Sequence, residues 1–248
     1  MRNQFEIIVL GGGISGLGVA REAARGGFEV LLLEKGRCVS AASAGSLRII
    51  HGGFRYLQNL DIGRVIHSLK AQQELLREYP DFIKPLPCMM PLERWGLKSR
   101  LPAAAGHLLY STLHKCQSGE WNEGGVRPAS FAARHVPLLE GMAPHGVLNW
   151  QDALLVRQDD FHWALQNEIS RLGGVIKEET EVKRLETDGG AFRVCCSRGE
   201  EQEIFTAKVV VNCLGAWINT VARTGIADFV RTRWCKAFNI VLKRQLEN

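Results

Sequence analysis

The glycine-rich stretch near the start of the chain, residues 5–34, constrains the fold more than any other part of the sequence. It opens with an apolar run, Phe5 to Leu10, that is too short for anything but a buried strand. Glycines follow at Gly11, Gly13 and Gly16, and small apolar residues then recur at helical spacing. The stretch therefore predicts a strand, a tight turn and a helix, which is the opening unit of an α/β fold.

A second apolar run, Val30 to Leu33, ends in Glu34 and completes a strand–turn–helix–strand–acid pattern. In this context the glycines are typical of a dinucleotide-binding turn, because Gly13 lets a pyrophosphate approach the main chain and Gly16 lets helix and sheet pack closely. Glu34 can accept hydrogen bonds from both ribose hydroxyls and would repel a 2′-phosphate. The sequence predicts a bound adenine dinucleotide; a glycine-rich turn with no ligand stays open as the alternative.

Composition narrows the class of protein. The 248 residues are 46% apolar and 23% charged with a net charge of +5, which is ordinary for a globular chain. No long block of like charge suggests a nucleic-acid partner. The seven cysteines form no C-x-x-C pair, so neither a zinc site nor a disulfide framework is indicated, and a cytoplasmic location is expected. No signal peptide or membrane-spanning run is predicted.

A polar loop of small residues follows Glu34 and leads into the segment LRIIHGGFRYLQ. In the loop, Ser43 and Ser46 could bond phosphate or flavin oxygens. Arg48, His51 and Arg55 bring positive charge close to a pair of glycines, which favours an anion-binding corner beside the cofactor. The alternative is a basic surface turn.

Beyond residue 80 the pattern changes twice. Residues 81–149 are rich in proline and broken into short pieces, which predicts an inserted domain. Regular elements then return: a helix over 161–172, a hairpin of strands 181–186 and 191–196, a strand over 203–211, and a second glycine turn leading into a helix that ends near Arg223. The predicted fold is a Rossmann-like α/β domain, formed by residues 1–80 and 150–225, with a parallel sheet and an antiparallel hairpin excursion. An incomplete inserted α+β substrate domain takes residues 81–149 and 226–248.

These segments together resemble the FAD-dependent glycerol-3-phosphate dehydrogenases of the D-amino-acid-oxidase-like flavoproteins. The resemblance runs from Ile7 to about Leu242 and rests on GGGISGLGVA, LLLEK, SAASAGSLRIIHGGFRYL, RQDDFHWALQNEISRLGG and VVVNCLGAW, with HGG-x-RYL the most specific match. It implies FAD as the cofactor and no metal. The cofactor-binding residues that it implies are Gly11, Gly13, Ile14, Ser15, Gly16, Glu34, Lys35, Ser43, Gly45, Ser46, Arg48, Val182, Cys213, Gly215 and Trp217.

The same resemblance implies that His51, Arg55 and Tyr56 face the substrate, with Arg55 on its phosphate. On its own Tyr56 could equally be a packing residue. The implied reaction oxidises glycerol 3-phosphate to dihydroxyacetone phosphate by hydride transfer to flavin N5, with a quinone or similar electron acceptor. A homodimer and peripheral contact with the cytoplasmic face of a membrane are compatible with it.

One departure from the family pattern leaves the substrate open. Where the family has K-G-x-H, this chain has Lys236-Ala237-Phe238-Asn239. A related polyol phosphate, or an amine or 2-hydroxy acid, is therefore an alternative substrate. Because the family continues well beyond residue 248, the chain is expected to be an N-terminal portion. A further alternative is therefore a truncated, inactive fragment that binds FAD weakly or not at all.

Overall fold

The computed structural model of the chain describes residues 3–137 and 141–224. They form two compact units, which we call unit 1 and unit 2: among the described residues, unit 1 holds 3–47 and 159–224, and unit 2 holds 48–137 and 141–158. The predicted boundaries at 80 and 150 differ from this division, because residues 48–80 pair and pack with later elements of unit 2. The assignment of the units to cofactor and substrate stays a prediction, and residues 226–248 lie outside the described residues.

The described elements follow the chain in this order. The strands are β1 (Gln4–Leu10), β2 (Val30–Leu33), β3 (Ile49–Ile50), β4 (Ile83–Pro91), β5 (Gly125–Arg127), β6 (Val147–Leu155), β7 (Val175–Lys177), β8 (Glu181–Asp188), β9 (Ala191–Arg198), β10 (Glu201–Asn212) and β11 (Ala222–Thr224). The helices are α1 (Ile14–Arg25), α2 (Ile62–Glu78), α3 (Arg100–Ser118), α4 (Ala129–His135) and α5 (Gln158–Arg171), with short 3₁₀ turns at Phe54–Asn59 and Gly215–Trp217.

Unit 1 is built on a seven-stranded sheet in the order β11-β8-β9-β10-β1-β2-β7. Strands β10, β1, β2 and β7 run parallel, whereas β8, β9 and β10 pair antiparallel. All four residues of β2 are buried, as expected for a central parallel strand. The prediction of a Rossmann-like unit with an antiparallel hairpin excursion is thus confirmed.

One local prediction in unit 1 was wrong. The helix expected up to Arg223 is instead a short 3₁₀ turn, Gly215–Trp217, followed by strand β11. Residues 222–224 pair in parallel with β8, where Arg223 lies opposite Leu185. Edge pairing with an existing sheet therefore overrides the weak helical signal of a segment this short.

Unit 2 is a four-stranded antiparallel sheet in which β6 is central: β3 and β4 flank it, and β5 also pairs with it. Helices α2 and α3 bury Val65, Leu69 and Tyr110 against each other. Phe54 stacks on Trp150 with ring centroids 5.2 Å apart. Strand β6 keeps its register with β4 over nine residue pairs. No helix within the described ranges is long and apolar enough to cross a bilayer.

Candidate functional site

The turn between β1 and α1 is closed by main-chain contacts that leave no room for a side chain. Gly11 has φ +99°, and a Cβ built on it would lie 2.7 Å from the carbonyl oxygen of Cys213. A Cβ on Gly16 would lie 1.8 Å from the carbonyl oxygen of Gly11. Both positions therefore require glycine, Gly11 for its conformation and Gly16 for the close approach of helix and turn.

Helix α1 begins at this turn with an end suited to an anion. Gly13 is its N-cap and makes no side-chain capping bond. The amide of Ile14 donates to Ser43 Oγ at 3.1 Å, so the small-residue loop reaches the start of the helix. First-turn amides and the positive end of the helix dipole together favour a phosphate group.

Glu34 joins the two loops at the ends of β1 and β2. Its Oε2 accepts a hydrogen bond from the amide of Gly12 at 2.7 Å, and its Oε1 accepts one from the amide of Gly36 at 2.9 Å. Each carboxylate oxygen keeps a further lone pair, which is what recognition of two ribose hydroxyls needs. The acid at this position also orders the backbone that forms the cavity wall.

The second glycine turn, after β10, supplies the opposite wall. Asn212 braces it, because its Oδ1 accepts from the amide of Leu214 at 3.2 Å and its Nδ2 donates to the carbonyl of Ile218 at 3.0 Å. The Lys35 ammonium lies 4.6 Å from the centre of the Trp217 ring, a cation–π contact.

These walls enclose a cavity of about 540 Å³ within unit 1, which we call the cradle. It is large enough for the adenosine part of a dinucleotide. Of the predicted cofactor residues, those that line it are Gly11, Gly13, Ile14, Ser15, Glu34, Lys35, Ser43, Val182, Cys213, Gly215 and Trp217.

Four predicted cofactor residues lie elsewhere. Gly16 is buried within the turn, Gly45 and Ser46 are exposed in the loop beyond the cradle lining, and Arg48 belongs to unit 2. Their roles stay predictions. Near the cradle two half-buried thiols are kept protonated: burial raises the pKa of Cys213, and burial together with Glu178 raises the pKa of Cys38 to about 12. Neither is suited to act as a nucleophile at neutral pH.

In unit 2, His51 lies at one end of a buried polar cluster around Asp152. His51 Nδ1 is 3.2 Å from Asp152 Oδ2, and the amide of Gly52 donates to Oδ1 at 2.8 Å. Gln72 Nε2 lies 3.3 Å from the same Oδ1, and Trp150 Nε1 lies 3.3 Å from Oδ2. We call these five residues the Asp152 cluster; its carboxylate is almost fully buried.

The other two predicted substrate residues lie on the 3₁₀ turn that follows. Gly53, with φ +91°, allows the chain to enter this turn. The Arg55 guanidinium carbon is 6.0 Å from the centre of the Tyr56 ring, and that of Arg64 is 5.1 Å from it. Tyr56 is therefore flanked by two cations. Arg64 also pairs with Asp61 at 3.2 Å.

The sequence reasoning missed Asp152, Gln72, Trp150 and Arg64. For Asp152 a signal existed, since an acid inside the apolar strand VLNWQDALL must be buried and therefore paired. Gln72 gave no signal, because a glutamine on an amphipathic helix is ordinarily exposed.

Three comparisons relate this geometry to known proteins. The sequence model of the family described as FAD dependent oxidoreductase matches residues 6–248. A curated glycerol-3-phosphate dehydrogenase of Mycobacterium leprae (strain TN) is 31% identical over 225 residues, which cover 88% of this chain and 37% of that protein. The chain therefore spans little more than a third of the length of that relative.

Solved structures share the fold. The glycerol-3-phosphate dehydrogenase of Bacillus halodurans complexed with FAD matches with a TM-score of 0.62 and 19% identity, over 88% of this chain and 35% of that one. The L-proline dehydrogenase of P. horikoshii matches with a TM-score of 0.69 and 22% identity, over 89% of this chain and 55% of that one. At these identities the likeness concerns the fold.

Proposed function

Because this chain belongs to the family of FAD dependent oxidoreductases, we propose that its cradle binds the ADP half of FAD and that the protein oxidises a small phosphorylated alcohol. The observation that carries the proposal is the cradle itself: Gly11, which admits no Cβ, the start of α1 with glycine at its N-cap, and Glu34 after β2 share one cavity. The substrate class we favour is glycerol 3-phosphate, the named substrate of the relative from Mycobacterium leprae.

The residues present fit the cofactor. The amides at the start of α1 and the Ser43 hydroxyl suit the pyrophosphate, and Glu34 suits the ribose. Val182 lies in the cradle lining, where its main chain can meet the adenine. When bound, the flavin of FAD supplies an acceptor for the hydride of the substrate C–H bond.

The roles proposed for the substrate groups follow from their chemistry. Of the three residues predicted to face the substrate, His51 carries the side chain best suited to act as a general base toward a hydroxyl. Arg55 offers a planar, permanently charged fork for the phosphate. The Tyr56 ring lies beside the Arg55 guanidinium, which carries the positive charge proposed for the anion, whereas the Arg64 guanidinium on the same ring is paired with Asp61.

The test is to purify the 248-residue chain, load it with FAD and add glycerol 3-phosphate without oxygen. We expect one FAD per chain and loss of the oxidised-flavin absorption band. Arg55→Gln should weaken the response to substrate about tenfold or more, since a charged hydrogen bond to phosphate is lost. Arg77→Gln, at an exposed position in the last turn of α2, is the matched control.

The alternatives give different outcomes. Bleaching by an amino acid or a 2-hydroxy acid, with none by glycerol 3-phosphate, would replace the substrate by an amine or hydroxy acid. A folded chain that takes up no FAD would be a fragment without a cofactor. Either result would contradict the proposal as stated.

We also propose that unit 2 touches an anionic membrane surface, where a quinone acceptor would be found. On α3 and the loop before it, four large apolar side chains are mostly exposed. Three positively charged residues and only one acidic residue lie among them in the sequence. The apolar residues are Trp95, Leu97, Leu101 and Leu108, and the cations are Arg94, Lys98 and Arg100. Such a pattern is typical of interfacial anchoring.

Sedimentation with vesicles tests this contact. The chain should sediment with vesicles rich in phosphatidylserine and stay in solution with phosphatidylcholine alone. Trp95→Ser combined with Leu101→Ser should abolish the effect, whereas Trp163→Ser, at an exposed tryptophan of unit 1, should leave it unchanged. Equal binding to both kinds of vesicle would contradict it.

A further inference from the structure

Asp152 is a buried carboxylate to which no role in the reaction has yet been given. Asp152 is 5% exposed, and each of its two carboxylate oxygens has its own set of hydrogen-bond partners. Oδ1 accepts from the amide of Gly52 at 2.8 Å and from Gln72 Nε2 at 3.3 Å. Oδ2 accepts from Trp150 Nε1 at 3.3 Å and lies 3.2 Å from His51 Nδ1.

The carboxylate is held rigidly by the sheet around it. Strand β6 is paired on both sides, with Asp152 opposite Leu86 of β4 and its neighbour Ala153 opposite Ile50 of β3. Gln72 connects α2 to strand β3 as well, because its Nε2 also donates to the carbonyl of Ile50 at 2.6 Å. The segment that carries His51 is thus fixed against the strand that carries Asp152.

We propose that Asp152 is a positioning residue that holds His51 in the tautomer protonated on Nδ1, which leaves the lone pair of Nε2 to receive the hydroxyl proton of the substrate. The inference rests on the proposed function, in which His51 is the base. An ionised carboxylate can only accept hydrogen bonds, so the 3.2 Å contact between His51 Nδ1 and Oδ2 favours the tautomer in which Nδ1 donates. The His51 side chain is 55% exposed, so its second nitrogen is open to a substrate.

The proton balance of this step is simple. The hydroxyl proton would pass to His51 Nε2, and the oxygen would keep the electron pair that forms the carbonyl. Bound FAD would supply the acceptor for the hydride of the same carbon. The ring then carries a positive charge, which the neighbouring carboxylate of Asp152 stabilises. With the opposite tautomer, Nε2 would carry a hydrogen and could not accept the proton.

A purely structural role for Asp152 would be to anchor the main chain at Gly52, and one substitution separates the two roles. In Asp152→Asn the amide oxygen should take the place of Oδ1, because the Gly52 amide and Gln72 Nε2 both donate there. The NH₂ group then occupies the place of Oδ2, where it donates toward His51 Nδ1 and leaves Trp150 Nε1 without its acceptor. The amide keeps this orientation because the opposite one would leave two donors, the Gly52 amide and Gln72 Nε2, without theirs. The ring must respond by moving its hydrogen to Nε2, while the anchor at Gly52 is kept.

The experiment is a long-range ¹H–¹⁵N NMR correlation of the full 248-residue chain labelled at histidine nitrogen. It is recorded at about pH 8, where the chemical shifts and couplings of the two ring nitrogens report which of them carries the hydrogen. We expect wild-type His51 to be protonated on Nδ1 and Asp152→Asn to be protonated on Nε2. Asp81→Asn, at an exposed aspartate of the same unit, should leave the tautomer of His51 unchanged.

Wild-type His51 protonated on Nε2 would overturn the proposal, and so would a tautomer that Asp152→Asn does not alter. The wild-type spectrum decides by itself if the variant does not fold. The measurement needs neither substrate nor FAD. If the chain bound no FAD or showed no flavin reduction by glycerol 3-phosphate, the proposed function would be contradicted, while the tautomer result would stand. Where flavin reduction is measurable, Asp152→Asn should slow it about 100-fold with little change in substrate KM.

Discussion

The cradle of unit 1 and the Asp152 cluster of unit 2 are held together in different ways. At the cradle two glycines leave no room for a side chain, since a Cβ on Gly11 or on Gly16 would meet a main-chain carbonyl. In the Asp152 cluster the contacts converge on one buried carboxylate, whose donors come from three separate segments. A side chain added at Gly11 or Gly16 should therefore disrupt the cradle. The Asp152 cluster should instead be disrupted by the exchange of a single functional group.

The largest expected effect is at the cradle. Gly16→Ala places a Cβ against a main-chain carbonyl, so we expect the free energy of unfolding in urea to fall by about 3 kcal/mol and FAD binding to be lost. Gly18→Ala, two residues along α1, meets nothing within 4 Å and should be more stable by about 0.5–1 kcal/mol. Equal stability of the two variants would contradict the main-chain account.

The Asp152 cluster has one glycine that behaves like those of the cradle. A Cβ on Gly52 would lie 2.0 Å from the hydroxyl of Tyr110, which is fully buried and cannot move aside. We expect Gly52→Ala to reduce the free energy of unfolding by about 2 kcal/mol. Gly63→Ala, on α2 with open space around it, is the control and should be neutral or stabilising.

Exchange of a functional group should matter in the cradle as well, though less. In Glu34→Gln an NH₂ group must face the amide of Gly12 or of Gly36, since both donate to the carboxylate. We expect a loss of about 1–2 kcal/mol in urea unfolding, together with weaker binding of ADP. Glu179→Gln, at an exposed position, should change neither quantity.

The smallest effect is a pH dependence in unit 2. Burial, and after it the charge of Arg127, lowers the pKa of His107, whose Nε2 has no hydrogen-bond partner among the described residues. As the pH falls, the His107 imidazole is therefore protonated in the unfolded chain before it is protonated in the folded chain. The free energy of unfolding should fall as pH drops through about 6.5 and level off below the pKa of His107 in the folded chain.

His107→Leu tests this assignment. The variant should show a shallower fall in the free energy of unfolding between about pH 7 and pH 5.5, a window that begins above the ordinary histidine pKa of about 6.5. His67→Leu, at an exposed position on α2, is the control and should keep the wild-type slope. A wild-type slope in His107→Leu would show that another group carries the dependence.

What the sequence reveals differs between the two regions for a physical reason. One wall of the cradle comes from residues close together in the sequence, so strand β1, the turn at Gly11 and the acid Glu34 were all predictable from spacing. The Asp152 cluster joins residues about 100 positions apart, and its geometry depends on the register of β6 with β3 and β4. The motif singled out His51 as a substrate residue, a role that stays a prediction, whereas nothing in the sequence singled out Gln72.

The cradle is tested most directly by NMR titration of the ¹⁵N-labelled chain with ADP, the half of FAD that it is expected to hold. The amide signals of Gly13, Ser15, Lys35 and Trp217 should move together and saturate, and Gly16→Ala should remove the response. Signals that stay in place in a folded chain, or that move only in unit 2, would contradict the claim that the opening glycine turn binds a dinucleotide.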